Sequence, residues 1–131
     1  MSEANTQPDN TPGLFAWNEL ASHDVTAAKA FYKTLFGWET ETMNMGPDGQ
    51  YVMFKIGDRP VAGMMPMPPE AEKAPTMWMG YITVKNITES VEKAKSLGGH
   101  VCKDITRIPM GLLAIIRDPQ GAVFGLWECA E

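Results

Sequence analysis

Glu19 is the one residue of this sequence whose type and position suit acid–base chemistry on the wall of a predicted cavity. It alternates with Trp17 and Ala21 in a stretch whose pattern predicts a half-buried strand, so the three side chains are expected on one face. A carboxyl group there could act as a general acid or base, or it could pair with a tyrosine hydroxyl, the Trp17 indole or a backbone amide. The sequence contains no recognisable Ser/His/Asp set, Cys/His nucleophile pair or Gly-rich phosphate loop, so it gives no support to covalent catalysis or nucleotide binding.

The composition is that of a soluble globular protein. The 131 residues are 44% hydrophobic and 21% charged, which suits one domain with its own core. A net charge of -5 and the lack of a Lys/Arg cluster argue against nucleic acid as a partner. No apolar stretch approaches the roughly 20 residues of a membrane span.

Two cysteines are too few for a disulfide framework. Cys102 and Cys129 are expected to be buried and reduced, which predicts a cytoplasmic protein. Residues 1–12 are polar and lack the pattern of a secretion signal, and we expect them to form a disordered tail.

The main signal is an internal repeat. The two halves align without a gap at an offset of 62 residues, since Asp24 matches Asn86 (86 − 24 = 62) and Gly63 matches Gly125. Module one runs from about 14 to 67 and module two from about 77 to 130. The proline-rich segment 66–76 between them is typical of a linker, and residues 13–131 are predicted to form a single domain.

Each module predicts a strand, a helix and three further strands. Asp24 and Asn86 are suited to N-capping the helices, and Gly37 and Gly98-Gly99 to ending them. The apolar residues that recur at helical spacing, and are expected to face the core, are Val25, Ala28, Tyr32 and Leu35, then Ile87, Val91, Ala94 and Leu97. We therefore predict an α+β fold of two tandem βαβββ modules, whose sheets join as one curved mixed sheet around a central cavity.

The segment 24–38, with Phe31-Tyr32 ahead of Leu35-Phe36-Gly37, and the Asp118-Pro119-Gln120-Gly121 turn resemble the vicinal oxygen chelate superfamily. This superfamily includes glyoxalase I, bleomycin-resistance proteins and dioxygenases. The resemblance covers nearly the whole chain after Pro12 and implies the same two-module fold. It also implies a homodimer, with the modules either paired within one chain or swapped between chains.

In the metal-dependent proteins that this chain resembles, the first and last strands of each module supply the ligands of a divalent ion. The matching positions here hold Trp17, Met79, Gly63 and Gly125, which are poor ligands or none. We expect no metal and no other cofactor. A one-residue slip of the alignment would instead bring Asn18 or Glu19 into the first ligand position and leave an unusual divalent metal site open.

Strand alternation extends the predicted wall of the cavity beyond Glu19. The two glycines are expected to leave room for a ligand. The predicted ligand-binding residues are Trp17, Glu19, Gly63, Met65, Met79, Tyr81, Gly125 and Trp127.

Three functions remain open on these grounds. The first is a metal-free protein that binds an aromatic or cationic small molecule in an apolar cavity. The second is a metal-dependent enzyme of the glyoxalase, lyase, dioxygenase or hydroxylase type, for which Glu19 is the only candidate acid or base. The third is a regulatory or scaffold domain without a specific ligand.

Overall fold

Strand, helix and three strands follow one another twice along the chain. The computed structural model describes residues 10–44, 49–68 and 71–130. Residues 1–9 of the predicted tail, residues 45–48 and the linker residues 69–70 lie outside the described residues. The elements are β1 (Phe15–Ser22), α1 (Val25–Phe36), β2 (Glu39–Asn44), β3 (Gln50–Ile56), β4 (Arg59–Pro66), β5 (Met77–Thr83), α2 (Ile87–Ser96), β6 (His100–Ile108), β7 (Gly111–Arg117) and β8 (Val123–Cys129).

The contacts divide the chain into two compact units. The first unit is Trp17–Met79, and the second is formed by the described residues of Gly80–Glu131 and Met1–Ala16. The strands are ordered β2-β3-β4-β1 in the first half and β5-β8-β7-β6 in the second. The pairs β1/β4 and β5/β8 are parallel and the other pairs within each half are antiparallel. The predicted α+β fold of two βαβββ modules is confirmed.

Register confirms the 62-residue repeat at the level of single residues. In the first parallel pair Glu19 lies opposite Gly63, and in the second Tyr81 lies opposite Gly125. Both members of the second pair are 62 positions beyond those of the first (81 − 19 and 125 − 63). Within each half, the same two positions of the repeat therefore lie opposite each other in the parallel strand pair.

Both helices begin where capping chemistry predicts. The Asp24 side chain accepts a hydrogen bond from the Ala27 amide at 3.0 Å, and Asn86 accepts one from the Glu89 amide at 3.1 Å. Gly37 ends α1 with a φ of 77°, a left-handed conformation that glycine adopts without strain.

One face of each sheet packs against its helix. In the first unit the core is Leu20, Val52, Phe54, Ala62 and Met64, and in the second it is Ile87, Val91, Ala114, Ile116 and Leu126. The helices themselves contribute unequally. Ile87 and Val91 of α2 are buried, whereas α1 has no buried residue.

Two expected core residues are exposed. Leu35 is 57% exposed and Leu97 is 68% exposed, so the prediction that they face the core is wrong. Leu35 lies in the last turn of α1, and Leu97 is the C-cap residue that follows α2. Helical spacing selects a face of a helix, but it does not tell how many turns the sheet covers.

Around Tyr32 the partly exposed side of α1 carries an aromatic cluster. The Tyr32 ring lies 5.7 Å from Phe54, 5.9 Å from Trp38 and 5.5 Å from Trp78 between centroids. The Trp78 indole also donates a hydrogen bond to the Tyr32 hydroxyl at 3.0 Å. These aromatic contacts, one stacked and two edge-to-face, add to the packing of Val25 and Ala28 of α1 against the core.

The Asp118-Pro119-Gln120-Gly121 turn connects β7 to β8, and the Asp118 carboxylate stabilises this turn. The backbone amides of Ala122 and Gln120 donate to Asp118 Oδ1 at 3.0 and 2.8 Å, and they hold the pKa of Asp118 below its usual value. Asp118 therefore closes the hairpin by hydrogen bonds to two amides of its own turn.

Neither cysteine forms a disulfide. Cys102 is exposed and Cys129 is half-buried, so the prediction that both are buried is wrong. They lie on β6 and β8, which β7 separates in the strand order.

Candidate binding site

The predicted site residues of the first unit come from β1 and β4. Alternation puts Glu19 and Gly63 on the sheet face opposite the helix, because Leu20, Ala62 and Met64 face the core. Ala21 lies opposite Met65 in the same register, and Trp17 is half-buried two residues before Glu19. The structure therefore places Trp17, Glu19, Gly63 and Met65 along one face of two neighbouring strands.

Tyr51 of β3 completes this group, and it was not among the predicted site residues. Its hydroxyl accepts a hydrogen bond from Trp17 Nε1 at 2.8 Å and donates one to the Glu19 carboxylate. Burial and the negative charge of Glu19 raise the pKa of Tyr51 far above its usual value, so the phenol stays protonated. Glu19, only 4% exposed, is thus hydrogen-bonded rather than directed into open space.

The Tyr51 side chain fills the space beside Gly63. A Cβ built on Gly63 would overlap the Tyr51 hydroxyl and ring, so the ring occupies the space that a side chain at position 63 would fill. The signal that could have found Tyr51 is strand alternation in β3: Met53 lies opposite Gly63, and Tyr51 is two residues away on the same face.

The second unit repeats this arrangement with different partners. A Cβ built on Gly125 would overlap the Tyr81 ring, which lies on the neighbouring strand opposite Gly125. Tyr81 is 3% exposed and Trp127, half-buried, lies opposite Thr83. The prediction that the two glycines leave room for a ligand is therefore wrong in both units, because a tyrosine ring fills the space beside each.

Met79, the last of the predicted residues, is 5% exposed in β5. It lies at the end of the first unit, and its buried thioether is a soft, weak metal ligand.

A divalent metal does not fit the four positions to which the resemblance points. Trp17 donates its N–H, and both glycine positions are covered by tyrosine rings. In the described part of the chain no group of three or more His, Cys, Asp or Glu side chains is arranged to hold a metal ion. His23 is committed elsewhere, since its Nε2 lies 2.6 Å from the Ala74 carbonyl oxygen.

No described helix is long and apolar enough to cross a membrane. The longer helix, α1, has 12 residues, against roughly 20 for a span.

Comparison with curated proteins finds relatives of about twice this length. The chain is 38% identical over 115 residues to "Putative glyoxylase CFP32" of Mycobacterium tuberculosis, covering 86% of this chain and 44% of that protein. It is 29% identical to "Anthracycline biosynthesis protein DauV" of a Streptomyces species, covering 89% of this chain and 47% of that protein. The chain thus spans less than half the length of these relatives.

Solved structures share the fold at low sequence identity. A hypothetical protein, BH1468 of Bacillus halodurans, superposes with a TM-score of 0.64 at 15% identity, covering 91% of this chain and 96% of that one. Methylmalonyl-CoA epimerase of Streptomyces coelicolor superposes with a TM-score of 0.62 at 18% identity, covering 92% and 100%. At such identities the likeness concerns the fold alone.

A family model matches residues 14–126, which span both βαβββ modules and the two glycine–tyrosine pairs. With the repeat, the strand order and the 38% identical relative, this match makes the chain a member of the Glyoxalase/Bleomycin resistance protein/Dioxygenase superfamily.

Proposed function

We propose that this chain is a metal-free small-molecule-binding protein of the glyoxalase/bleomycin-resistance type. The observation that carries the proposal is the glycine–tyrosine pair in each unit. At Gly63 and Gly125, where the resemblance expects metal-ligating side chains, the neighbouring space is filled by Tyr51 and Tyr81. In each unit, an aromatic ring in place of a ligating group suits an apolar ligand better than a cation such as zinc.

The ligand is an aromatic or cationic molecule. Trp17 satisfies its N–H on Tyr51, so its ring face is the part of the side chain that remains for stacking. The Streptomyces relative is named for anthracycline biosynthesis, and anthracyclines are planar aromatic compounds. That chemistry agrees with a stacking site.

An enzyme is the second candidate. The Mycobacterium tuberculosis relative is named as a glyoxylase, and the buried Glu19 carboxyl is hydrogen-bonded to the Tyr51 phenol, a pair that can hold a proton. If the chain is a binding protein, Glu19 is structural. Its carboxylate accepts a hydrogen bond from the Tyr51 hydroxyl and thereby orients the tyrosine ring against Gly63.

Two further parts of the proposal rest on sequence and chemistry. A cytoplasmic location agrees with two unpaired thiols, because such thiols persist in a reducing compartment. The proposed homodimer is based on the superfamily resemblance. Neither nucleic acid nor a membrane is proposed as a partner, because the net charge is -5.

The test is a fluorescence titration of chelator-treated protein with ethidium, a planar aromatic cation, and with an anthracycline. Trp17→Phe should weaken binding about five- to tenfold through the loss of indole stacking, whereas Glu19→Gln should change affinity by less than about twofold. Trp78→Phe is the matched control, since Trp78 belongs to the aromatic cluster beside α1. Wild-type affinity in Trp17→Phe, or binding that returns only when metal is added back, would refute the proposal.

A further inference from the structure

One side of α1 is apolar although it faces away from the core of its unit. Val25, Ala28 and Tyr32 are the residues of α1 that pack against that core. About a third of a turn away lies a second row of apolar or small side chains, all exposed, which we call the α1 stripe: Ala27, Ala30, Phe31, Thr34 and Leu35. Phe31 is 59% exposed and Leu35 is 57% exposed.

The internal repeat provides a matched comparison for this stripe. Phe31 corresponds to Lys93 of α2 (93 − 31 = 62), and Ala27 corresponds to Glu89. Both residues of α2 are exposed, as a surface helix in contact with water requires. The fold therefore accepts charges at these positions, and the apolar side chains that α1 has there are expected to meet another surface.

The size of the α1 stripe suits the centre of a protein–protein interface. Two large side chains that are more than half exposed, with the small residues between them, present roughly 300 Å² of surface, which is in the range of functional patches. A standard interface buries about 800 Å² per partner, and an apolar centre of this kind is surrounded by a polar rim.

The order of residues along the α1 stripe makes it complementary to itself. Ala27 and Leu35 are each four residues from Phe31. When two copies of α1 cross antiparallel about Phe31, the small Ala27 of one helix therefore lies opposite the larger Leu35 of the other. Such pairing of a groove with a ridge is how helices pack, and a two-fold axis makes the contact twice.

The charged residues of α1 do not oppose this contact. They are Lys29 and Lys33, and each is two residues from Phe31. Two residues correspond to about 200° around a helix, so both lysines lie on the side away from Phe31. Two copies can approach through their α1 stripes without bringing these like charges together at the contact.

The length of the relatives also agrees with a second copy as the occupant. The regions matched by this chain make up 44% and 47% of the Mycobacterium tuberculosis and Streptomyces relatives, so each has a further part of about the same size. A second copy of this chain supplies a partner of that size. An anionic lipid surface is disfavoured by the net charge of -5.

We propose that the α1 stripe binds the same stripe of a second copy of this chain, with the two helices antiparallel and Phe31 at the two-fold axis. This proposal rests on the homodimer proposed above and deepens it by naming the surface that joins the two chains. It does not involve the stacking face of Trp17.

The experiment is sedimentation velocity on the 131-residue protein over a dilution series. The wild-type protein should sediment at tens of micromolar with twice the mass of one chain. Phe31→Lys, which gives α1 the lysine that α2 has at the equivalent position, should raise the dimer dissociation constant at least about 30-fold, because the change occurs twice in a two-fold interface.

Leu35→Lys and Leu97→Lys form a matched pair, since the two leucines occupy equivalent positions of the repeat and both are exposed. Leu35→Lys should weaken the dimer about tenfold or more, whereas Leu97→Lys, outside the α1 stripe, should leave it unchanged. Ala27→Glu should also weaken the dimer. Combined with Leu35→Lys it should restore part of the affinity, because the opposite charges then face each other across the axis.

Circular dichroism of each variant should match that of the wild-type protein, since all the changed residues are exposed. A dimer that survives both Phe31→Lys and Leu35→Lys would overturn this surface and leave the proposed homodimer standing. A monomeric wild-type protein would overturn both, and binding to lipid vesicles that Phe31→Lys abolishes would make a membrane the occupant instead. A double variant that dimerises no better than the single ones would overturn the antiparallel arrangement.

Discussion

The Tyr51 hydroxyl joins two side chains of β1, accepting a hydrogen bond from Trp17 and donating one to Glu19. Because burial and the Glu19 charge raise its pKa above the ordinary value of 10.0, the phenol keeps its proton at neutral pH. The stability that this raised pKa contributes is fully present below pH 10 and is lost only as the pH rises toward the folded-state value. The three side chains therefore form a fixed unit under ordinary conditions.

Gly63→Ala is predicted to destabilise the protein by roughly 1–3 kcal/mol, because the added methyl group overlaps the Tyr51 ring and must displace it. The free energy of unfolding in urea measures this loss. In a Tyr51→Ala background the same substitution should cost much less, since the ring that it meets is gone. Equal costs in the two backgrounds would show that Tyr51 does not cover Gly63.

At the scale of elements, the two helices differ in how deeply their side chains are buried. Ile87 and Val91 anchor α2 in the core of the second unit, while α1 rests on partly exposed aromatic contacts around Tyr32. Both helices are nevertheless capped in the same way by Asp24 and Asn86. Similar local signals thus lead to different depths of burial.

A comparison of Ile87 with Leu97, the residue that caps the C-terminus of α2, tests how burial sets the contribution of a side chain. Ile87→Ala, at a fully buried position, should cost about 2–5 kcal/mol of unfolding free energy. Leu97→Ala, at the exposed end of the same helix, should change it by no more than about 0.5 kcal/mol. Urea unfolding followed by circular dichroism measures both, and a large loss in Leu97→Ala would mean that this side chain is covered in solution.

At the scale of the whole molecule, the described residues contain no group of three or more His, Cys, Asp or Glu side chains placed to hold a metal ion. A metal ion present at about 100 times its dissociation constant would raise the free energy of unfolding by about 2.7 kcal/mol. For a chain of this size that corresponds to a rise of several degrees in melting temperature. Metal binding is therefore easy to detect if it occurs.

We predict that protein purified without chelator contains near-zero metal by mass spectrometry. Its melting temperature should stay within about 1 °C when Zn, Ni, Mn or Fe(II) is added in excess. The same melts with chelator present serve as the control. About one tightly bound metal ion per chain, with a raised melting temperature, would favour the enzyme reading and place ligands outside the four positions considered.

The sequence alone determined the repeat, the α+β fold and which positions of the two modules are equivalent. These follow from local signals: alternation predicts the faces of strands, helical spacing and caps predict the helices, and the constant offset aligns the two modules. Alternation also placed Glu19 and Gly63 on one face, whereas the pairing of β1 with β4, which makes them neighbours, came from the structure.

Only the tertiary structure decided what fills the space beside those residues. Gly63 looked open in the sequence, yet Tyr51 covers it from another strand through the direction of a single side chain. The Thr83 hydroxyl, which has no hydrogen-bond partner among the described residues, and the exposure of Leu97 likewise depend on neighbours distant in the chain. Local patterns specify which face a residue occupies, whereas packing between strands and helices decides whether that face holds a ring, a cleft or solvent.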